Sequence, residues 1–277
     1  MPAFFSPRTS MIDPTFRIAA PPVDMALTAL DQMIVGRITV VNAVVILAAI
    51  IFALREWSRS QSPIPLLLIL GGAFTSFMEP FVDLGGGCWH PIIGQHELFE
   101  NMARPIPVWL GCTYVAYFGV LPMVMYYFFA KGITTRAMWL WFLVPVVVDI
   151  ILEETLLSQA DHLYAYYGNQ PLKLHVFPLW WTASNTIGVY LSAVVTTLFA
   201  SRPRSWRLLL VPFCTLLCYG AATGSVGWPS IVVINSNCSN LVTQLGGLAS
   251  FLIAFAVVYG CTQLIAADSR HKLSLNR

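Results

Sequence analysis

Residues 64–83, IPLLLILGGAFTSFMEPFVD, form an apolar run of membrane-helix length that ends on two acids. An apolar stretch of about 18 or more residues is long enough to cross a bilayer, yet Glu79 and Asp83 lie inside this one. A second apolar run, residues 137–158, carries Asp149, Glu153 and Glu154 in the same way. A carboxylate near the bilayer centre costs roughly 2.5–3.5 kcal/mol on insertion scales. A chain that keeps five of them is therefore expected to use them.

The composition of the whole chain is that of a membrane protein. It has 277 residues, 57% of them hydrophobic and 10% charged, and a mean hydropathy of +0.71. Soluble domains carry about 25% charged residues. The fold class predicted from this composition is all-α, a multi-pass membrane helix bundle with about seven transmembrane helices. The net charge of +2 and the lack of a basic stripe with interleaved aromatics argue against a nucleic-acid partner.

The apolar runs predict three regions along the chain. Residues 1–36 form an extramembrane or interfacial segment, 37–266 the seven-span bundle and 267–277 a cytoplasmic tail. Residues 228–242 are expected to form a re-entrant or surface segment. The seven spans are predicted at about 37–55, 64–85, 105–130, 137–158, 176–200, 207–227 and 243–266.

The basic residues predict the orientation. Most Lys and Arg residues fall in the loops after spans one, three and five and in the tail, so the positive-inside rule makes these loops and the C-terminus cytoplasmic. An endoplasmic reticulum membrane and a bacterial inner membrane both fit. At 1.5 Å rise per residue, Glu79 and Asp83 then lie roughly 22–28 Å from the cytoplasmic end of span two, and Asp149 and Glu153 roughly 18–24 Å from that of span four. We expect these two spans to lie side by side with their acids turned toward a common chamber.

The four acids Glu79, Asp83, Asp149 and Glu153 are the predicted catalytic residues. Clustered carboxylates in a low-dielectric site cannot all ionise, and a carboxylic acid that stays neutral is a proton donor. The alternative is a structural role in bonds between helices. A metal site is a further alternative, with His90, His96 and His162 as extra ligands, but the chain has no Glu-x-x-His pair of the di-iron type. We therefore predict no metal and no cofactor.

Aromatic and polar residues at the same predicted depth complete a candidate pocket. Aromatic rings at this depth belong either to the interfacial belt or to a pocket whose ring faces stabilise a cation. Arg104 is a candidate partner for an ionised acid. The predicted pocket residues are Trp109, Trp180, Trp181, Asn185, Arg104 and Glu154. Cys88 and Cys238 fall in loops on the same side, where a disulfide between them is one alternative.

Four short segments resemble small integral membrane terpene cyclases of fungal and bacterial meroterpenoid pathways. The segments are 79–83 (EPFVD), 88–91 (CWHP), 99–100 (FE) and 104–109 (RPIPVW). The resemblance implies protonation of a terminal epoxide or alkene of a prenyl chain by membrane-embedded carboxylates, without a metal. It implies that Glu79 fills this role together with Asp149 or Glu153.

The sequence therefore favours a membrane cyclase or isomerase that protonates a lipophilic isoprenoid. Its expected partners are that substrate and membrane lipid. Glu79 would be the proton donor and Asp83 would tune it, while Asp149 and Glu153 would hold the developing cation or take the final proton. A proton-coupled transporter or lipid-binding membrane protein is one alternative, because such proteins also need buried acids. A metal-dependent membrane oxidoreductase is another.

Overall fold

In the part of the chain that the structure describes, five helices are long and apolar enough to cross a membrane: Ala29–Ser60, Ile64–Gly86, Val108–Ala130, Trp206–Ser225 and Asn240–Ala266. The computed structural model describes residues 19–200 and 206–275. The predicted all-α membrane bundle is confirmed, but the count of seven spans is not. Helices do occupy the fourth and fifth predicted positions, as Thr135–Gln159 and Trp180–Ala200. They are not among the five spans.

Several of the long helices are built from shorter segments. Ile64–Gly86 contains a 3₁₀ turn, Ser76–Met78, and Val108–Ala130 contains a π-helical turn, Val115–Val120. The α-helices in the described part of the chain are α1 (Ala29–Ser60), α2 (Ile64–Thr75), α3 (Glu79–Gly86), α4 (Val108–Tyr114), α5 (Leu121–Ala130), α6 (Thr135–Gln159), α7 (Trp180–Ala200), α8 (Val211–Ser225), α9 (Trp228–Ile234) and α10 (Asn240–Leu275).

The predicted region boundaries differ from the helix ends. Helix α1 begins at Ala29, inside the segment 1–36, because Thr28 and Asp31 form a capping box there. Residues 1–18 of that segment lie outside the described residues. Helix α10 runs on to Leu275, through most of the predicted tail 267–277. The segment 228–242 contains the short helix α9.

Helix α7 lies at the centre of the bundle, packed against α5, α6, α8 and α10. Ile187, Val189, Tyr190 and Ala193 are completely buried. A helix surrounded by protein needs no lipid-facing apolar surface, so α7 also carries polar residues. Its buried polar side chains include Thr182, Ser184, Thr186, Ser192 and Thr196.

The π-helical turn packs closely on α2 through two glycines. A Cβ on Gly72 would lie 2.6 Å from the backbone N of Gly119, and one on Gly119 would lie 2.9 Å from the carbonyl O of Ile69. Small residues allow this close approach of helix backbones in membranes. The π turn thereby holds Tyr117 and Phe118 in position at the bundle interior, and such turns are frequent at functional sites.

Among the described residues, two small antiparallel sheets, which the sequence does not predict, cover one end of the helical bundle. Strand β1 (Cys88–Trp89) pairs with β4 (Ala165–Tyr166). Strand β2 (Glu97–Asn101) pairs with β3 (Arg104–Pro107). The first sheet ties the loop after α3 to the loop after α6, and so connects the loops that follow the two acid-bearing helices.

Candidate functional site

A cavity of about 370 Å³ lies inside the bundle, and all four predicted catalytic acids line it. Glu79 and Asp83 reach it from α3, and Asp149 and Glu153 reach it from α6. Their side chains converge because each helix turns its acids inward: on α6, Leu140, Val147 and Ile151 are exposed while Asp149 is 6% exposed. The aromatic residues in the wall are Trp109, Tyr114, Tyr117, Phe118, Tyr164, Tyr166, Trp181 and Tyr219.

The expected common chamber is therefore present, but the helices around it are arranged differently. Helix α6 packs mainly against α7 and α10. The acids of α3 and α6 meet across the cavity, and a packed pair of spans two and four is not what brings them together.

Glu79 accepts a hydrogen bond from the hydroxyl of Tyr114 and is 7% exposed. The Tyr114 hydroxyl also lies 3.3 Å from that of Tyr219, and the Tyr219 hydroxyl lies 3.3 Å from Oδ1 of Asn185. Asn185 in turn donates through Nδ2 to Asp149, at 3.3 Å from Oδ1. One hydrogen-bonded network thus connects Glu79 to Asp149.

Asp149 is held mainly by α7. The Thr182 hydroxyl donates to its Oδ2 at 2.7 Å, in addition to the amide of Asn185. Because Thr182 and Asn185 are three residues apart on one helix, they face the same side. The carboxylate is thus fixed in one orientation toward the cavity.

Glu153 accepts hydrogen bonds from two tyrosines of the loop that follows α6. The hydroxyls of Tyr164 and Tyr166 both donate to its Oε2, the latter at 3.0 Å. Burial, and then the nearby Glu153 carboxylate, raise the pKa of Tyr164 and Tyr166 well above the usual value. Both phenols therefore remain protonated donors to Glu153 at neutral pH.

Asp83 lies beside His90 and Cys88 at the end of the cavity nearest the first sheet. Its Oδ2 is 3.2 Å from Nδ1 of His90, and its Oδ1 is buried without a hydrogen-bond partner among the described residues. The His90 ring stacks on Tyr164 with centroids 5.3 Å apart. Burial, and then the charge of Asp83, raise the pKa of the Cys88 thiol well above its usual value.

Three of the six predicted pocket residues line the cavity: Trp109, Trp181 and Asn185. The other three do not. Trp180 is fully buried behind the wall, where its indole N–H donates to Oε1 of Gln170 at 3.0 Å. Its ring packs on Trp181 with centroids 4.6 Å apart, so it supports the wall from outside.

Arg104 on β3 and Glu154 on α6 do not line the cavity, and their side chains contact loop residues instead. The Arg104 guanidinium donates to the Tyr167 hydroxyl at 2.7 Å and lies 5.3 Å from the centre of the Trp89 ring. It forms no ion pair with a carboxylate in the part of the chain that the structure describes. Glu154 accepts the backbone N–H groups of Val176 and Phe177 at 3.2 and 2.9 Å.

The alternative disulfide does not form, and the three histidines considered as metal ligands do not come together. Cys88 and Cys238 are both free thiols. Of the three histidines weighed as ligands, His90 lines the cavity with the acids. His96 is exposed, and His162 pairs instead with Asp161 at 2.7 Å.

Several site residues were not identified from the sequence. Tyr219 was missed because its helix reads as a plain apolar span, although a tyrosine hydroxyl buried in such a span needs a polar partner. Thr182, Tyr164 and Tyr166 were missed because their roles depend on contacts between segments distant in sequence.

Comparison of this chain with protein-family models, with curated proteins and with solved structures finds no match in any of the three. The function is therefore argued from the cavity and its residues.

Proposed function

We propose that this protein is an integral membrane cyclase or isomerase that protonates a lipophilic isoprenoid, a prenyl or epoxy-prenyl chain, to start a carbocation cyclisation. The observation that carries the proposal is the meeting of four carboxylates in one cavity walled by aromatic rings. Its volume of about 370 Å³ is within the range of roughly 300–1,000 Å³ of small-molecule sites.

The hydrogen-bond network supports Glu79 as the proton donor. Three contacts connect Glu79, Tyr114, Tyr219 and Asn185 Oδ1, but the two hydroxyls supply only two protons. When Tyr114 donates to ionised Glu79, one contact is left without a hydrogen. When the Glu79 carboxyl carries a proton, all three contacts have a donor.

The proposed reaction conserves atoms. Glu79 gives its proton to a terminal alkene carbon, forming a C–H bond, or to an epoxide oxygen, opening a C–O bond. The resulting cation is attacked by the π electrons of a second double bond, which closes a ring. Asp149 or Glu153 takes a proton from a neighbouring carbon, and a new double bond forms. The product is an isomer of the substrate, and no cofactor, ATP or oxygen is consumed.

Aromatic rings in the wall suit a cationic intermediate. Trp109, Tyr164 and Trp181 line the cavity, and the faces of such rings attract positive charge. Asp83 lies four residues after Glu79 on α3, so the two side chains share one face of the helix. We propose that Asp83 tunes Glu79 and that the rings hold the cation away from water.

The cavity wall reaches the outer surface of the bundle at α1 and α6. Val41 and Leu152 both line the cavity, although they are 61% and 44% exposed. Their helices carry further exposed apolar side chains, among them Val40, Val44, Val147 and Ile151. We propose that a lipophilic substrate enters here from the membrane lipid.

The positive-inside rule supports a cytoplasmic C-terminus, because the basic residues concentrate in alternate loops and the tail. The loops that follow the acid-bearing helices α3 and α6 would then lie on the opposite side of the membrane. We propose residence in an endoplasmic reticulum or bacterial inner membrane and a role in meroterpenoid biosynthesis, part of secondary metabolism.

The test is incubation of membranes containing the protein with plain and epoxidised prenyl substrates, followed by mass and NMR analysis. We expect a cyclic or rearranged product of unchanged mass. With the alkene substrate in D₂O, we expect one deuterium at the carbon that is protonated. A product with altered oxidation state would favour a metal-dependent oxidoreductase. Unchanged substrate that accumulates inside proteoliposomes would favour a transporter.

A further inference from the structure

Asp83, Cys88 and His90 form a compact cluster at one end of the cavity. One potential ligand atom from each residue lies within 4.8 Å of the other two. The three residues are 0%, 3% and 2% exposed, and all three line the cavity. An oxygen, a sulfur and a nitrogen donor thus converge on one point away from bulk water.

The backbone holds this cluster in a fixed arrangement. Asp83 lies on α3, and Gly87 ends that helix with a φ of +69°, which allows the chain to reverse into β1. Cys88 is the first residue of β1 and is paired there with Tyr166 of β4. His90 follows the strand and is fixed by its stack on Tyr164. The donors are therefore positioned by a helix end, a sheet and a ring contact.

The contact between His90 and Asp83 does not account for the whole cluster. It engages only Oδ2 of Asp83. The second oxygen, Oδ1, is buried and has no hydrogen-bond partner in residues 19–200 and 206–275. A buried carboxylate oxygen without a partner is costly, and three more acids line the same cavity. Arg37 is the only arginine or lysine among the lining residues that the structure describes.

We propose that Asp83, Cys88 and His90 bind one divalent transition-metal ion, with Zn²⁺ the best match. Zinc accepts Cys sulfur at about 2.3 Å and His nitrogen and carboxylate oxygen at about 2.0–2.2 Å. This mixed set suits zinc better than Mg²⁺ or Ca²⁺, which take oxygen ligands. Three protein ligands leave a fourth position, which faces the cavity and takes an oxygen atom of water or of a bound molecule. The ion also offsets the excess of carboxylates. This inference does not depend on the proposed reaction.

The test is metal binding by the full chain purified in detergent. The protein is stripped with a chelator, reloaded with Zn²⁺, freed of excess metal and analysed for zinc by mass spectrometry. We expect about one zinc per chain. Replacing a ligand in Cys88→Ser or His90→Gln is expected to weaken binding at least ~tenfold. Cys218→Ser removes a buried thiol outside the cluster, and His162→Gln removes the histidine of a second carboxylate cluster. Both controls are expected to keep the zinc.

Substitution with Co²⁺ gives an independent readout on the unmutated chain. Cobalt bound through Cys88 produces a thiolate-to-metal charge-transfer band, which is displaced when Zn²⁺ is added. Folding of each sample is checked by circular dichroism. The proposal is overturned if folded wild-type protein retains no zinc after reloading, or if its cobalt form shows no thiolate band. It is equally overturned if folded Cys88→Ser and His90→Gln bind zinc as tightly as the two controls.

Discussion

Glu79 on α3 and Asp149 on α6 are connected by hydrogen-bonding side chains that cross the cavity wall, through Tyr114, Tyr219 and Asn185. The proposed donor and a proposed acceptor of the proton therefore belong to one network. Buried networks of this kind are worth more than the sum of their pairs when every member is satisfied. Changes at one residue of this network are expected to affect the others.

Glu79→Gln is expected to abolish product formation and leave the fold intact. Glutamine is nearly the same size and still hydrogen-bonds Tyr114, but it is not an acid. Because general acid catalysis contributes about 10²–10⁴-fold, turnover should fall at least about a hundredfold. The measurement is product yield per folded protein in membranes. Glu97→Gln is the control, since Glu97 is exposed on β2, and it should keep full turnover. Equal turnover of the two variants would remove Glu79 from the mechanism.

Tyr114→Phe and Tyr219→Phe are each expected to lower turnover and stability, and their effects are expected not to add. Each substitution removes one hydroxyl from the same hydrogen-bonded network. Once one hydroxyl is gone, the other contributes less to stability and turnover. Contacting residues show coupling energies of about 0.5–3 kcal/mol. The measurement is a double-mutant cycle on thermal stability and on turnover.

Tyr190→Phe is the matched control for that cycle. Tyr190 is 0% exposed, and its hydroxyl has no hydrogen-bond partner among the described residues. Removing this hydroxyl should be neutral or stabilising, because no partner is left unpaired. Additive effects of the two network variants would contradict a connected network.

The sequence predicts the cavity acids well because the cost of burying charge in lipid leaves a clear signal. Glu79, Asp83, Asp149 and Glu153 are conspicuous in apolar runs, and helix periodicity places each pair on one face. The rise per residue of a helix gives the depth of each acid, and this depth places the two pairs of acids at the same end of the bundle. All four line the cavity.

The sequence does not predict contacts that depend on a partner distant along the chain. Glu154 follows Glu153 directly in the sequence. Only the position of the later loop shows that Glu154 accepts hydrogen bonds from the backbone N–H groups of Val176 and Phe177. Arg104 was expected near an acid but lies beside Trp89 and Tyr167. Hydropathy also cannot show that α7 is enclosed by protein on several sides. For the same reason, the sequence predicts the fold class but not the number of spans.

Glu154→Ala is expected to destabilise the protein without removing its chemistry. The substitution leaves the N–H groups of Val176 and Phe177 without their acceptor, at a cost of about 1–3 kcal/mol. Thermal unfolding should occur at a lower temperature, while turnover per folded molecule at a permissive temperature should stay near that of wild type. A large loss of turnover at unchanged stability would place Glu154 in the cavity after all.

Cys88 is expected to react slowly with thiol-alkylating reagents in the folded, chelator-treated protein. Burial and the charge of Asp83 raise the pKa of its thiol, so less thiolate is present at any given pH and alkylation is slower. Cys238 is only half-buried and should react faster. The measurement is site-resolved mass spectrometry over a series of pH values, and all six thiols should react after denaturation without a reductant. A pair that reacts only after reduction would indicate a disulfide.

Gly86→Ala is expected to disturb the cavity wall directly. A Cβ at this position would clash with Cζ2 of Trp181 and would lie 3.1 Å from Cη2 of Trp180. Two packed indoles cannot move apart without cost. We therefore expect a loss of about 1–3 kcal/mol of stability from overpacking, together with a change in tryptophan fluorescence and in turnover. Gly260→Ala is the control, because a Cβ there meets nothing within 4 Å, and in a helix interior it should stabilise by about 0.5–1 kcal/mol. If Gly86→Ala matched the control in stability and turnover, the close packing of α3 on Trp181 would be refuted.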